Sequence, residues 1–471
     1  MPISPRTRLM TVFLGGLLVA CSGDEGRDSE TEGVATDASS SGASTTGASS
    51  SSAGATTAAS SSTGAETGAS TSSAGSDGST SEGETSTSET TGGEPLSEDE
   101  ELLRAAIAGE VDPAEALATI AGRGGLPVET ASGSFLFACL CGPGGWSLAG
   151  DHEGWEGQGM ETTGALSWIE LELPAPDGSR YKFTDGGDQW IADPLGRRHD
   201  YDDFGRISLV RASAAHLERW YSITGYELAP RDLEVWVPDD GEFDRALYVH
   251  DAQNLFNPDA PFGSWALQES APPGVLLVGV DNTPARMDEY THVADDIGGG
   301  MIGGEGDRYA DLVELVIRPL IEEAYGEVEL VGVMGSSLGG LISFHIADRF
   351  PDRYAMALSL SGTMGWGSLD GAQPLGLTMI DRYSAAGYRS TALYLDSGGG
   401  GACSDDDADG IEDDGVDSDN YCVNLQFFAE LQSIGYTDGL DVFHWHEPGA
   451  MHNEAAWAAR VSLPLQLFAE L

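Results

Sequence analysis

The stretch Glu329 to Leu341, ELVGVMGSSLGGL, constrains the fold more than any other part of this chain. Leu330 to Met334 is a short apolar run with two valines, the pattern of a buried parallel strand. Gly335-Ser336-Ser337-Leu338-Gly339 follows directly, and an apolar run then continues to Phe350, where Pro351 ends it as it would end a helix. Strand, G-x-S-x-G and helix together make a nucleophile elbow. The turn is so sharp that a Cβ at position 335 or 339 collides with the neighbouring strand or helix. It holds the Ser337 hydroxyl out at the carboxyl end of a sheet, and aims the Leu338 amide and the helix N-terminus at an incoming carbonyl oxygen. No second G-x-S-x-G occurs, even in the Gly/Ser-rich region.

Residues 1–21 read as an export signal: Arg6 and Arg8 precede an apolar core, Leu9 to Ala20, too short for a stable membrane span. Leu18-Val19-Ala20-Cys21 resembles the lipobox of bacterial lipoproteins, which implies that Cys21 becomes a lipidated N-terminus. Ser22 after that cysteine leans toward an outer-membrane lipoprotein facing outside or the periplasm. Residues 22–100 are Ser, Thr, Gly and Ala with scattered acids. Such a segment cannot bury enough apolar surface to offset its ordering entropy, so a flexible tether is expected.

The formal charge is −55, from 77 acidic and 22 basic residues, and most of it lies beyond the tether. That balance argues against nucleic acid or an anionic membrane surface as partner. Residues 101–130 read as a helical lead-in, with Asp112, Pro113 and Glu115 as N-cap, N1 and N3 of a second helix. Residues 131–225 change to short strands and turns, SFLFACL, SWIELEL, SRYKFT and RISLV, as in a β-sandwich. With WSLAGDHEGWEGQGMETTGALSWIELELP and RYKFTDGGDQWIADP, this region is similar to the early-set modules that precede the catalytic domain of enterochelin esterases. Trp155 and Trp190 are either sugar-stacking platforms or, the reading favoured here, core residues.

Residues 226–471 alternate strand-like segments (DLEVWVP, RALYVHD, GVLLVGVD, ELVGVMG, AMALSLS, TALYLD, LDVFHWH) with helical runs at 309–325, 338–350, 425–434 and near Ala455. Such alternation predicts a mainly parallel, doubly wound sheet with its site at the strand carboxyl ends. ALYVHDAQNLF, VGVDNTPARMDEYT, VGVMGSSLGGLISFHIADRFPDRYAMALSLSG and EPGAMHNEAAW resemble, in order, the enterochelin/feruloyl esterase branch of α/β-hydrolases. The expected fold is therefore α/β: an α/β-hydrolase preceded by a small all-β immunoglobulin-like sandwich. The resemblance implies Ser337 as nucleophile and His452 as general base. Chemistry asks for the same pair, because a hydroxyl nucleophile needs a base of near-neutral pKa. His444 and His446 are read as structural or cleft-wall residues. The loop after His250 matches the family's oxyanion loop, so amides around Asp251 to Gln253, Ala252 and Gln253 in particular, join that of Leu338.

The acid departs from the family's pattern. The strand ends at Asp396, and an acidic insertion, 397–419, intervenes before the next helix. Asp419 is preferred for its place relative to that helix and to His452, with Asp396 second and Asp417 third; its role is to hold the His452 tautomer. Within the insertion, Asp405, Asp407, Asp409, Gly410 and Asp413 give D-x-D-x-D-G-x-x-D, which predicts a structural Ca²⁺ loop, although Val416 occupies the position where an EF-hand has glutamate. A solvated acidic loop is the alternative. Cys403 and Cys422 bracket it and are expected to form a disulfide. Cys139 and Cys141 are too close in sequence for an easy bridge, and their state stays open.

The reading is an anchored serine esterase, with no cofactor for catalysis and a small-molecule or carbohydrate ester as substrate. An acyltransferase using the same triad, a catalytically silent envelope binding protein and a purely carbohydrate-binding role are the alternatives.

Overall fold

The computed structural model describes residues 96–297, 299–369, 376–415 and 418–471; the export signal with Cys21, the tether up to residue 95, and Asp417 lie outside the described residues. Four strands pair in parallel around the elbow strand Leu330–Ser336 in a row: Arg245–His250 on one side, Met356–Leu360, Ala392–Ser397 and Val442–His446 on the other. Val275–Val280 extends the parallel set beyond Arg245–His250, and Arg231–Val237 and His216–Ile223 follow antiparallel. This is the α/β-hydrolase sheet. Its central strands are buried along their whole length, as runs such as VLLVGV and MALSL require when helices cover both faces.

One face packs Leu341, Phe344, Tyr383 and Phe427 from the helices Leu338–Arg349, Met379–Ala386 and Tyr421–Ser433. The other packs Met334 and Leu358 against Trp457, Leu465 and Phe468 near the C-terminus. The helix expected over 309–325 is interrupted: Gly306–Leu312 and Arg318–Tyr325 flank a π-helical turn, Val313–Ile317. Pro319 accounts for the break, because it lacks the amide that would continue the regular bonding.

At the N-terminal end, Asp112 caps Pro113–Ala121 through Ala114 N and Glu115 N, at 2.9 and 3.1 Å. A four-stranded antiparallel sheet built on Phe135–Cys139 and Leu166–Leu171 buries Phe137 and Ile169 against Leu148, Tyr181 and Phe183 of a second layer. That second layer is continuous with the hydrolase sheet through Arg198–Asp202 and His216–Ile223. The linking strand His216–Ile223 carries Glu218 and Arg219, so it lacks the alternation of a half-buried strand. Its charges are accommodated by Arg198 at 3.3 Å and Asp232 at 2.9 Å.

Both cysteine pairs are disulfides. Cys403–Cys422 closes the insertion, as expected. Cys139–Cys141 corrects the expectation that two residues of separation hinder a bridge: the chain leaves the strand at Leu140, and the Cα atoms come within 5.2 Å.

Candidate active site

Ser337 sits between strand and helix with φ 54° and ψ −121°, a conformation that costs an L-residue energy and is held by its surroundings. A Cβ on Gly335 would stand 2.6 Å from the Gly339 carbonyl carbon, and one on Gly340 would stand 2.3 Å from Ser359 Oγ. The Ser337 amide donates to Leu360 O at 2.9 Å, and the Ser337 carbonyl accepts from Gly340 and Leu341, both at 3.1 Å. Leu338 opens the helix Leu338–Arg349, so its amide has no acceptor within the helix.

Across the elbow, Asp251 (φ 67°) turns the chain into the short 3₁₀ turn Ala252–Asn254. The Asp251 carboxylate takes a bidentate pair from Arg286, 2.8 Å to each oxygen, and Asn282 donates at 2.6 Å. Burial alone would raise this carboxyl; the Arg286 guanidinium outweighs it and holds it below its ordinary value. Position 339 corrects the expected collision: a Cβ there would meet nothing closer than Asp251 Oδ2, at 3.3 Å, although the turn carrying Ala252 and Gln253 packs on the start of the elbow helix. His250 is buried and bonded to the Tyr309 hydroxyl at 2.8 Å; burial lowers its pKa to about 3, which keeps it neutral.

Asp419 and His452 meet. Asp419 Oδ1 bonds His452 Nδ1 at 2.5 Å, with the carboxylate buried and the imidazole half-exposed. Asp419 Oδ2 accepts from Ser361 Oγ at 2.7 Å and from the Gly398 amide, and Arg460 stands at 3.4 Å. Ser361 Oγ in turn accepts from Trp457 Nε1 at 3.0 Å and Arg460 Nη2 at 2.6 Å, and the Trp457 ring meets the His452 ring edge-on at 4.9 Å. Strand register links this network to the nucleophile. Ser336 pairs with Leu360 and Leu360 with Asp396, so residues 337 and 361 leave neighbouring strands side by side. The base loop is fastened to the end of the strand Ala392–Ser397 and the glycines after it by three backbone bonds, Glu447 N to Ser397 O, Gly449 N to Gly399 O and Gly399 N to Ala450 O, at 2.9, 2.8 and 2.7 Å.

Asp396 faces elsewhere. It is fully buried, pairs with Arg460 at 3.1 Å and accepts from Tyr394 Oη at 3.0 Å and Ser361 N at 3.1 Å. Burial pushes its carboxyl up to about 6 against the pull of Arg460. His446 stacks on Tyr421 at 4.1 Å and His444 on Phe428 at 5.0 Å, so both line the wall of the outermost parallel strand.

In the insertion, Asp405, Asp407 and Asp413 place carboxylate oxygens within 4.8 Å of one another. Asp409 was expected with them but turns to Ser368 Oγ and the Ile411 amide instead. Trp155 and Trp190 correct the core reading: Trp190 is exposed, Trp155 half-buried, and their rings lie 6.3 Å apart. Their loops carry Asp151, Asp185 and Asp188 rather than apolar neighbours, which leaves the indoles nothing to be buried under.

Ser361 and Arg460 were missed by sequence reasoning. Nothing marks Ser361 in SLSG. Arg460 lies three residues after Trp457, one helical turn, and that spacing beyond His452 is the signal that was there to find.

Residues 230–463 match the family described as "Putative esterase". The uncharacterized protein YbbA of Bacillus subtilis strain 168 is 30% identical over 155 residues, covering 30% of this chain and 60% of its own length. This chain therefore spans less than two thirds of that relative. Among solved structures, the enterobactin esterase Fes from Shigella flexneri, in the presence of 2,3-di-hydroxy-N-benzoyl-glycine, is 16% identical over 72% of this chain and 93% of its own, with a TM-score of 0.38. An IroE-like serine hydrolase from Shewanella oneidensis is 19% identical over 54% and 80%, with a TM-score of 0.42.

Proposed function

We propose that this chain, which matches the esterase family over residues 230–463, is a serine hydrolase cleaving a carboxylic ester through an acyl-enzyme. Ser337 attacks the carbonyl, His452 takes the hydroxyl proton and returns it to the leaving alcohol, and water releases the acyl group. Asp419 fixes the His452 tautomer with the proton on Nδ1, leaving Nε2 free to act as base. The Leu338 amide, with those of Ala252 and Gln253, stabilises the tetrahedral oxyanion.

One observation carries the reading: a buried carboxylate bonded to His452 Nδ1 at 2.5 Å, in a chain whose only G-x-S-x-G serine is held in a strained strand-to-helix turn. Incubation with a fluorophosphonate should label Ser337, and Ser337→Ala should abolish both the label and ester hydrolysis. Unlabelled wild-type protein would sink the proposal.

Two further proposals follow from the chain's other features. Lipidation at Cys21 would anchor the enzyme in the cell envelope, most simply as an outer-membrane lipoprotein; mass spectrometry of the mature N-terminus tests this. Asp405, Asp407 and Asp413 offer the hard oxygen donors that suit a structural Ca²⁺.

A further inference from the structure

Charge around the nucleophile is lopsided. Glu454 follows His452 by two residues and begins the short helix Glu454–Ala458. Its Oε1 accepts from the Asn254 side-chain amide at 3.3 Å, which ties it to the oxyanion turn. A Cβ on Gly263 would lie 3.6 Å from Glu454 Cβ, so the loop after Pro261 packs there too. Glu454 thus stands between the base and the oxyanion turn, half-buried. Burial, with Asp251 adding to it, holds its carboxyl above the ordinary value against the pull of Arg286 and His452.

Two guanidiniums among the described residues at this end of the sheet are paired with other carboxylates, although the charge of Arg286 is also felt at Glu454. Arg286 forks onto Asp251, and Arg460 is shared by Asp396 and Asp419. Among the described residues no ion pair reaches Glu454, and the chain's sole lysine, Lys182, belongs to the N-terminal strand Arg180–Thr184. Further out, Glu447 and Asp259 are exposed, and the insertion that leads to Asp419 has no basic residue between Cys403 and Cys422. Glu454 is therefore a half-buried carboxylate beside the base with no ion pair of its own among the described residues, and its field acts on a charge brought close to it.

From this arrangement we infer that the site selects esters bearing an amine or quaternary ammonium group near the reacting carbonyl and rejects carboxylate-bearing ones, with Glu454 as the specificity residue. The inference rests on the serine-hydrolase reading above. A unit charge about 6 Å from Glu454, at an effective dielectric of about 20 to 40, corresponds to roughly ten-fold discrimination or more.

The test uses three acetate esters of matched shape, acetylcholine, 3,3-dimethylbutyl acetate and 4-acetoxybutanoate, and fluorophosphonates carrying the same three alcohols. kcat/KM and the labelling rate of Ser337 are measured at low and high salt. The expected order is cation, neutral, anion, spanning at least ten-fold at low salt and compressing at high salt. Glu454→Gln should cut the cation-to-neutral ratio about three- to ten-fold, while Glu470→Gln, on the exposed C-terminal end, should leave that ratio alone. An order with the anion first, or a ratio that Glu454→Gln does not move, overturns the inference while leaving the hydrolase reading intact. If no phosphonate labels Ser337, the hydrolase reading itself fails and takes the inference with it.

Discussion

Two regions bring a buried carboxylate to the same guanidinium: the end of the strand Ala392–Ser397 supplies Asp396, and the close of the acidic insertion supplies Asp419. Asp396 is fixed by strand pleat. Tyr394, two residues earlier on the same face, bonds it, and it points into the core beneath the base loop. Asp419 and Asn420 both have positive φ, 51° and 57°, and Asn420 anchors the turn by donating to Ser361 O at 2.7 Å. This turn, which Asp and Asn tolerate better than most residues, presents the carboxylate to His452. Proximity to a strand end is therefore not what makes the acid. The difference is backbone direction: a regular strand offers its side chain to one of two faces, whereas a left-handed turn can aim it at a loop.

Replacing one carboxylate at a time separates the two roles. Asp419→Asn should lower kcat by about 10³- to 10⁴-fold, because the amide no longer enforces the tautomer that leaves Nε2 as base. KM should change little, and Asp396→Asn should cost less than about ten-fold. Equal losses in the two variants would dissolve the distinction. Gly398→Ala comes next. Its Cβ would stand 2.4 Å from Ala450 O and 2.5 Å from Asp419 Oδ2, forcing acid and base loops apart; misplacement on that scale costs about 10²-fold in kcat. A crystal structure of the variant should show the His452–Asp419 bond lengthened.

The smaller effect of Asp396 appears in stability against pH. Its carboxyl titrates near 6 in the folded protein and near 3.8 when unfolded. Between those values the folded state holds the proton that the unfolded state has released, so Asp396 makes the wild type lose stability as pH rises from about 4 to about 6. Below that window the side chain is neutral in both states; above it, ionised in both, and the loss is complete. Asp396→Asn cannot titrate. Relative to wild type it should gain roughly 2–3 kcal/mol across the window, superimposed on any constant cost of the amide. Urea unfolding of both proteins at pH 4 and pH 7 reads the difference directly, and a pH-independent gap would refute it.

How much of this was legible follows from the same physics. Long apolar runs such as VLLVGV, and the GSSLG turn after LVGVM, can be little else than buried strands and an elbow, because local sequence there agrees with tertiary demand. His452 and Asp419 could be proposed from chain order. The bond between them was expected too, and the structure has it; what the sequence did not show is the left-handed turn at the end of the insertion that makes it. The strand His216–Ile223 was missed because its charges are matched by partners remote in sequence, so no periodicity shows. Trp155 and Trp190 misled through composition: tryptophan is usually buried, but burial needs apolar neighbours, and those loops supply aspartates.

The weakest expected effect concerns the insertion that delivers Asp419 but not Asp396. If Asp405, Asp407 and Asp413 take up Ca²⁺ with the 10⁻⁴–10⁻³ M dissociation constants of extracellular modules, 1 mM Ca²⁺ stabilises the folded state by only about 1 kcal/mol. For a domain of this size that is a rise of roughly 2 °C in Tm, which calorimetry in Ca²⁺ against chelator resolves. The bound ion should also tighten the segment between Cys403 and Cys422, so chelation should lower kcat a few-fold in wild type. In Asp419→Asn, where the insertion no longer delivers a working acid, chelation should leave the residual rate unchanged. An unchanged Tm would show that the three carboxylates are a solvated acidic turn, and that the disulfide and the hydrogen bonds of Asp409 and Asp414 hold the loop from which Asp419 reaches the base.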